Sequence, residues 1–294
     1  MSDTSRGTVF TLFASIAFAT EAVLVKFVYA EGVGPLPLLV ARLLMAAVVV
    51  APIFFHYIIK HRPGWRTHLA WAVVGGVLSS ALFLLLMLAL QRLSASITII
   101  ALFIYPAITT VLASFILAER ITPRKALALI VSLVGVALVS YSSGAAVDLV
   151  GLTMAFGAAL ANAFIFVAIK LFFSNIPPTV TSAGILTWTA VTYSALGLAS
   201  GVSLAMTPSA LSFVAALAII PTILSVTFLN QALAIVEASR VSIVMTTEPP
   251  ITAILAAAFL GERLTALQTV GGTLILGSVL LLASAASASS SSSD

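Results

Sequence analysis

The sequence predicts an all-α integral membrane protein with ten transmembrane helices, arranged as two inverted five-helix repeats. Three observations lead to this fold class: the composition, a series of long apolar segments, and a match between the two halves of the chain. The 294 residues are 61% hydrophobic and only 7% charged, whereas soluble domains are about 25% charged. The 22 charged side chains, 13 basic and nine acidic, cannot solvate a globule of this size, which excludes a soluble protein.

Ten apolar segments, separated by short joints rich in Pro, Gly or charge, define the predicted spans. A bilayer core about 30 Å thick requires roughly 20 apolar residues per helix. The predicted spans are 7–29, 35–56, 68–90, 94–117, 123–142, 149–173, 178–201, 209–233, 239–260 and 265–285. Because the joints are short, no soluble domain fits between spans. The Ser-rich tail over 286–294 is expected to be disordered.

The distribution of Lys and Arg predicts that both termini are cytoplasmic in a bacterial-type inner (plasma) membrane. With the N-terminus inside, Arg92 and Arg263 fall on the far side and nine basic residues fall on the cytoplasmic side. Those nine are Arg6, Lys60, Arg62, Arg66, Arg120, Arg124, Lys125, Lys170 and Arg240. The net charge of +4 therefore reflects loop bias, and no basic surface is large enough to bind nucleic acid.

The chain matches itself at an offset of 143 to 144 residues. Residues 89–122 match residues 232–265, and the first span matches the sixth more weakly. This predicts one repeat over 1–144 and a second over 145–285. Five spans per repeat is an odd number, so the second repeat must cross the membrane in the opposite sense. Inverted repeats are typical of secondary transporters, whose substrate site lies near the midplane between the repeats; duplication without transport is the alternative.

The motifs in the two halves resemble those of the drug/metabolite transporter superfamily, in its ten-span EamA-like branch. The first-half version is Tyr105-Pro106 followed by Ala118-Glu119-Arg120-Ile121-Thr122. The second-half version is Glu248-Pro249-Pro250, then Leu260-Gly261-Glu262-Arg263-Leu264-Thr265, Gln268 and Gly271. Within the branch, the sequence is similar to bacterial exporters of aromatic and other amino acids. The resemblance implies transport but leaves the substrate open.

Glu21 and Arg42 are charges at membrane depth, where charge is costly and is usually functional or paired. Glu21 lies 14 residues after Gly7 and Arg42 lies seven after Pro35, which places them at similar depths on neighbouring helices, given a rise of 1.5 Å per residue. We predict an ion pair or shared polar site. Glu21 would meet a substrate ammonium or a proton and Arg42 a carboxylate, or else the pair is structural.

Glu248 is the third intramembrane charge, and two prolines follow it. Pro249 and Pro250 lack an N–H, so the carbonyls of Met245 and Thr246 lose their helical donors. The α-helical conformation is also disfavoured for the residue before a proline. This predicts a polar ligand patch or a kink at Glu248, with Pro106 and its neighbour Tyr105 as the equivalent positions of the first half.

Further polar and aromatic side chains are candidates for an apolar substrate site with a few polar contacts. Asn162 and Phe166 share a helix face, as do Phe18 and Glu21. The remaining predicted substrate contacts are Phe83, Tyr105, Trp188, Gln231, Met245 and Glu248. Two other predictions are structural. Trp65 and Trp71 are expected to be anchors at the membrane interface. Glu119-Arg120 and Glu262-Arg263 are expected to be local ion pairs that end helices, with a gate function as the secondary alternative.

The sequence favours a secondary transporter that exports amino acids or similar small amphipathic metabolites by alternating access. The alternative is a proton-coupled exporter of lipophilic cationic drugs. An enzyme is not expected, because the chain contains no HExxH, GxSxG or metal-ligand motif and no Cys. No cofactor is expected. The expected partners are a small-molecule substrate and the lipid bilayer, and the oligomeric state is left open, with a monomer compatible.

Overall fold

The computed structural model describes residues 3–92, 98, 101–139, 148–260 and 265–290. These residues form helices joined by short turns, with no strand among them, so the predicted all-α class is confirmed. We number the helices in chain order, and a helix whose hydrogen-bond pattern changes part way along keeps one number.

The first half contains five numbered helices. They are α1 (Asp3–Ala30), α2 (Pro35–His61), α3 (Trp65–Trp71, Ala72–Ser79 and Ser80–Arg92), α4 (Tyr105–Ile116) and α5 (Pro123–Val139). The second half continues with α6 (Leu149–Phe173), α7 (Pro178–Ala199), α8 (Pro208–Ala218, Ile219–Leu224 and Ser225–Ile235), α9 (Ala238–Val244, Met245–Thr247 and Glu248–Leu260) and α10 (Ala266–Ser290). Parts of the predicted span 94–117 and the motif residues 261–264 lie outside the described residues.

Six of the described helices are long and apolar enough to cross a membrane. They are α1, α2, the Trp65–Ala89 part of α3, α6, the whole of α8 and the whole of α9. Shorter apolar helices cover Tyr105–Ile116 and Thr269–Leu281. The chain is therefore a multi-pass membrane protein, while ten spans remain a prediction. Helix α10 extends to Ser290 and so includes the start of the Ser-rich tail, and residues 291–294 lie outside the described part.

Helix packing follows the internal duplication. Helix α1 packs on α8 and α9, and its counterpart α6 packs on α3 and α4. The second helices of the two halves, α2 and α7, pack on each other, as do the fifth helices, α5 and α10. Exchanging the halves therefore reproduces the same set of neighbours, as expected for two copies of one unit.

The first helices of the two halves run in opposite directions. Near the start of α1, a Cβ at Gly7 would lie 2.6 Å from Val236 Cγ1, just after α8 ends. Beyond the other end of α1, Glu31 accepts a hydrogen bond from Thr207, just before α8 begins. Near the end of α6, Lys170 Nζ donates to the Val236 carbonyl at 2.7 Å. Helix α6 thus ends where α1 begins, which is the arrangement expected of inverted halves.

The third helices, α3 and α8, depart from α geometry at equivalent places. Residues 72–79 and 219–224 are π-helical. From these segments Ser79 Oγ donates to the Val74 carbonyl at 2.8 Å, and Thr222 Oγ1 donates to the Leu217 carbonyl, just before the second segment, at 2.7 Å. Both bonds reach back five residues, and the two pairs are related by the 143-residue offset seen in the sequence. Single π turns are often found at functional sites.

Helix α9 changes its geometry just before the two prolines. Met245–Thr247 form a 3₁₀ turn, and α geometry resumes at Glu248. The expectation that Glu248 itself leaves the α region is wrong, because its φ of −59° and ψ of −50° are α-helical. The irregularity lies instead in the three residues before it, close to the carbonyls whose donors the prolines remove. A hinge at Pro106, Pro249 or Pro250 remains a prediction.

Trp71 is a core residue, so its reading as an interface anchor is wrong. Its side chain is fully buried, with Phe54 edge-on at 4.9 Å and Phe173 stacked at 5.5 Å between ring centroids. A Cβ at Gly184 of α7 would lie 2.4 Å from the Trp71 Nε1, so the indole fits only against a glycine. Trp65, by contrast, is exposed, as an anchor would be.

Candidate functional site

A central cavity lies between the two halves, with a volume of about 950 Å³ including its opening. Helices α1, α3 and α4 line it from one half, and α6, α7, α8 and α9 from the other. Its walls are mostly Leu, Ile and Phe side chains. Eight of the predicted contact residues line it: Phe18, Glu21, Phe83, Tyr105, Asn162, Phe166, Met245 and Glu248.

Three predicted contact residues do not line the cavity. Arg42 lies behind its wall and is 1% exposed. Trp188 packs against the core, on the side of α7 that faces Gly76. Gln231 is half-buried, while its neighbour Asn230, which was not among the predicted contacts, lines the cavity. Adjacent helical residues point about 100° apart, so only one of two neighbouring amides can face a given space.

Glu21 and Arg42 form the predicted ion pair, which the structure confirms. Arg42 Nη1 lies 2.6 Å from Glu21 Oε1 and Arg42 Nη2 lies 3.2 Å from Glu21 Oε2. This two-point contact is the strong geometry for Arg and a carboxylate. The pair joins α1 to α2 beneath the cavity wall, with the Arg42 guanidinium over the Phe83 ring at 5.6 Å.

Arg42 also joins the first half to the π-helical segment of α8. Its Nε donates to Thr222 Oγ1 at 2.6 Å and its Nη2 to the Pro221 carbonyl at 3.4 Å. All three guanidinium nitrogens are therefore engaged within the protein. The guanidinium neutralises Glu21 and contacts the π-helical backbone of α8 at the Pro221 carbonyl, which also accepts from Ser225 Oγ at 2.6 Å.

Glu248 faces the central cavity from α9, at the interruption of that helix. It also lines a neighbouring cavity together with Glu21 and Thr252. Within the described residues, Glu248 forms no ion pair with Lys or Arg, unlike Glu21. On the opposite half, its counterpart Tyr105 is buried, with its ring 5.4 Å from that of Phe166. Of the two glutamates that line the cavity within the described part of the chain, Glu21 is paired with Arg42 and Glu248 has no Lys or Arg partner.

Several hydroxyl and amide donors at the cavity wall are already used inside the protein. Ser79 donates to the Val74 carbonyl, and Thr189 Oγ1 lies 2.9 Å from the Gly75 carbonyl and 2.8 Å from that of Ile185. Asn230 Nδ2 donates to Ser182 Oγ and to the Val226 carbonyl, each at 2.9 Å. Because their donors are used, these groups can offer the cavity mainly oxygen atoms that accept hydrogen bonds.

Glu119 caps α9 across the two halves, so its reading as a local partner of Arg120 is wrong. Its Oε1 accepts from the Ala238 N–H at 2.8 Å, and its Oε2 accepts from the N–H and hydroxyl of Ser239. A carboxylate at a helix N-terminus accepts hydrogen bonds from free N–H groups and interacts favourably with the helix dipole. The equivalent Glu262-Arg263 lies outside the described residues.

Polar contacts also join the halves at the other end of the bundle. Asp148 caps α6 and pairs with Arg92 at 3.2 Å, and hydrogen bonds from the backbone N–H groups of Gly151 and Val150 lower the pKa of its carboxyl group. Glu31 accepts from Thr207 at 2.7 Å, and this hydrogen bond lowers the pKa of Glu31. Across the described residues, no three His, Asp or Glu side chains come together as metal ligands.

The fold and cavity define a class: a multi-pass helical membrane protein whose two opposed halves enclose a mostly apolar central space. The model of the EamA-like transporter family matches residues 5–141 and again residues 149–284. The chain therefore belongs to the EamA-like transporter family, with one copy of the family unit in each half. Family membership indicates a membrane transporter of small molecules rather than an enzyme.

The fold recurs among solved structures. Twenty-nine chains match, and one superposes with a TM-score of 0.81 over 95% of this chain and 96% of its own length, at 16% sequence identity. That structure is described only as the crystal structure of a protein, so it supports the fold and nothing about the substrate. No curated protein matches the chain.

Proposed function

We propose that the protein is a secondary transporter that exports amino acids or similar small amphipathic metabolites from the cytoplasm by alternating access. In this proposal, residues 1–144 and 145–285 are inverted repeats of five spans each, with both termini cytoplasmic in an inner (plasma) membrane. The observation that carries the proposal is the central cavity, which both halves line and which lies beside the interrupted helix α9. Substrate sites between inverted repeats are typical of secondary transporters.

The chemistry of the cavity wall supports a substrate with an apolar body and a small polar group. The Leu, Ile and Phe side chains bury apolar surface without selecting one shape. The Glu248 carboxylate can bind an ammonium group, because no Lys or Arg of the described residues pairs with it. The phenol of Tyr105 and the amide of Asn162 line the same cavity and can donate hydrogen bonds to a carboxylate.

A second candidate function is a proton-coupled exporter of lipophilic cationic drugs. The engagement of Arg42 favours it, because the guanidinium is bound to Glu21, Thr222 and Pro221 and is 1% exposed. The cavity therefore presents a free carboxylate and no free positive charge among the described residues. A cation without a carboxylate fits such a site, and Glu248 can carry a proton in exchange.

Counterflow in proteoliposomes tests the proposal. Purified protein is reconstituted with an internal panel of amino acids or cationic dyes, and uptake of labelled substrate is measured at several pH values. Accelerated exchange of amino acids supports the first function. Exchange of cationic dyes alone, driven by a pH gradient, supports the second. Exchange of neither class contradicts both.

Replacing Glu248 with Gln separates the two functions further. The substitution removes the charge but keeps the size, so binding of any ammonium substrate should weaken by roughly tenfold to a hundredfold, the range for a charge-assisted hydrogen bond. If Glu248 also carries the proton, flux driven by a pH gradient is lost, while slow counterflow persists. Counterflow with wild-type affinity in the variant would show that Glu248 does not contact the substrate.

A further inference from the structure

Asn230 of α8 has a buried side-chain oxygen that lacks a hydrogen-bond partner. The residue is 2% exposed, and its Oδ1 is unpaired among the described residues. The orientation of the Asn230 side-chain amide is fixed by its bond to the Val226 carbonyl, because only the amide nitrogen can donate to a carbonyl oxygen. A buried polar atom normally has a partner, so an unpaired acceptor beside a cavity points to a ligand atom.

The position of Asn230 separates it from the charged part of the site. The central cavity adjoins a smaller one of about 320 Å³ through Asn230 and Ile169, which line both. It adjoins a third cavity through other shared residues, among them Glu21 and Glu248. The second and third cavities share no lining residue. Asn230 therefore lies where the central cavity meets the second one, and Glu248 lies where it meets the third.

We propose that Asn230 is a specificity-determining residue, whose Oδ1 accepts a hydrogen bond from an N–H or O–H group on the apolar part of the substrate. The proposal rests on the proposed transport function and specifies its substrate class. The preferred substrate is a small molecule with an ammonium group at one end, which binds Glu248, and a hydrogen-bond donor on a ring or chain at the other. The same molecule without that donor leaves Oδ1 buried and unpaired, and therefore binds less tightly.

The test uses two pairs of ligands that differ by one hydroxyl group: tyrosine with phenylalanine, and tyramine with phenethylamine. The pairs carry a zwitterionic and a purely cationic head group, so the comparison does not depend on which of the two proposed functions is correct. Each compound competes with labelled substrate in the counterflow assay. We expect the hydroxylated member of at least one pair to compete about tenfold better with wild-type protein, because a buried acceptor gains its donor.

Three variants show whether Asn230 causes this preference. Asn230→Val removes Oδ1, and the ratio between paired ligands should fall to about one. Gln231→Leu changes the neighbouring amide, which does not line the cavity, and should keep the ratio. Ser182→Ala removes a partner of Nδ2 and leaves Oδ1 in place, so it should also keep the ratio even if stability falls.

The outcomes separate this inference from the proposed function. A ratio near one in wild-type protein, or a wild-type ratio that survives in Asn230→Val, overturns the role of Asn230 while transport stands. If the preference for the hydroxylated ligand is lost in Ser182→Ala as well as in Asn230→Val, the role of Asn230 is overturned too. The preference would then depend on the Asn230–Ser182 contact between α8 and α7. If no amino acid or amine exchanges at all, the transport function and this inference fail together.

Discussion

At the residue scale, the Glu21–Arg42 pair has a structural role whatever else it does. Arg42 binds Glu21 on α1 and Thr222 on α8 at 2.6 Å each, so one side chain holds both halves. Glu21 lines the cavity, yet both its oxygens face the guanidinium. The depth of the two charges could be predicted by counting helical residues, but the bond to Thr222 could not, because nothing in the sequence shows that α8 is π-helical there.

Glu21→Gln should reduce stability more than it changes recognition. The substitution leaves Arg42 buried without its counter-charge, which costs about 3–5 kcal/mol when a buried pair is broken from one side. We expect lower thermal stability in detergent, and, in protein that remains folded, a pH dependence of uptake like that of the wild type. Wild-type stability together with altered pH dependence would instead assign Glu21 to proton or substrate binding.

Eight of the eleven contact residues predicted from the sequence line the cavity, but the sequence could not distinguish between neighbouring residues. Glu248, Tyr105 and Asn162 were found because an intramembrane carboxylate, a repeat and an amide are visible in the sequence. The cavity contains Asn230 rather than the predicted Gln231, since the sequence does not show which of two adjacent amides faces inward. Which face of α8 points inward depends on its packing on α1 and on its π-helical segment. Apolar periodicity cannot predict that face in a helix that is mostly apolar on all sides.

At the element scale, the π-helical segment of α3 is shaped by its contact with α7. A Cβ at Gly75 would lie 2.4 Å from the Ile185 carbonyl oxygen and 2.9 Å from its Cα, and the Gly75 carbonyl accepts from Thr189 at 2.9 Å. The backbones of the two helices therefore touch, as small residues permit in membranes. The repeat predicted equivalent third helices, but it could not predict their geometry, which depends on this contact.

Gly75→Ala should destabilise the protein, and Gly76→Ala should not do so appreciably. The first substitution places a methyl group against a helix backbone that cannot rotate away, an overpacking that costs about 1–3 kcal/mol. The second places it 3.4 Å from the Thr192 hydroxyl oxygen, an ordinary contact. Thermal unfolding of both variants in detergent measures the difference. Equal stability would mean that α3 and α7 can separate at no cost.

At the scale of the whole molecule, a symmetric scaffold carries asymmetric chemistry. The sequence match was enough to predict two inverted halves, and the opposed directions of α1 and α6 agree with it. The polar groups do not follow the symmetry: Glu248 corresponds to Tyr105, and Asn162 to Phe18. Both members of each pair line the cavity. In the proposed transport function, a site with unlike walls would bind a substrate in one orientation, while the symmetric scaffold would allow the two halves to exchange conformations.

The alternating access that we propose requires the halves to separate at each end of the bundle in turn, and one contact allows a direct test. Gly7 belongs to the first half and Val236 to the second, at the end predicted to be cytoplasmic. A Cβ at Gly7 would lie 3.2 Å from Val236 Cβ, close to the roughly 3.8 Å found across a disulfide. The chain contains no Cys, so a single engineered pair has no competing thiols.

The double variant Gly7→Cys, Val236→Cys should form a disulfide under mild oxidation and lose counterflow activity. The covalent bond would hold the start of α1 against the end of α8, which keeps the substrate from passing between the halves at that end. A reductant should restore activity, and each single-Cys variant should remain active under the same oxidant. Full activity in protein shown by mass spectrometry to be cross-linked would mean that these two helix ends stay together throughout transport, and that the passage opens between other helices.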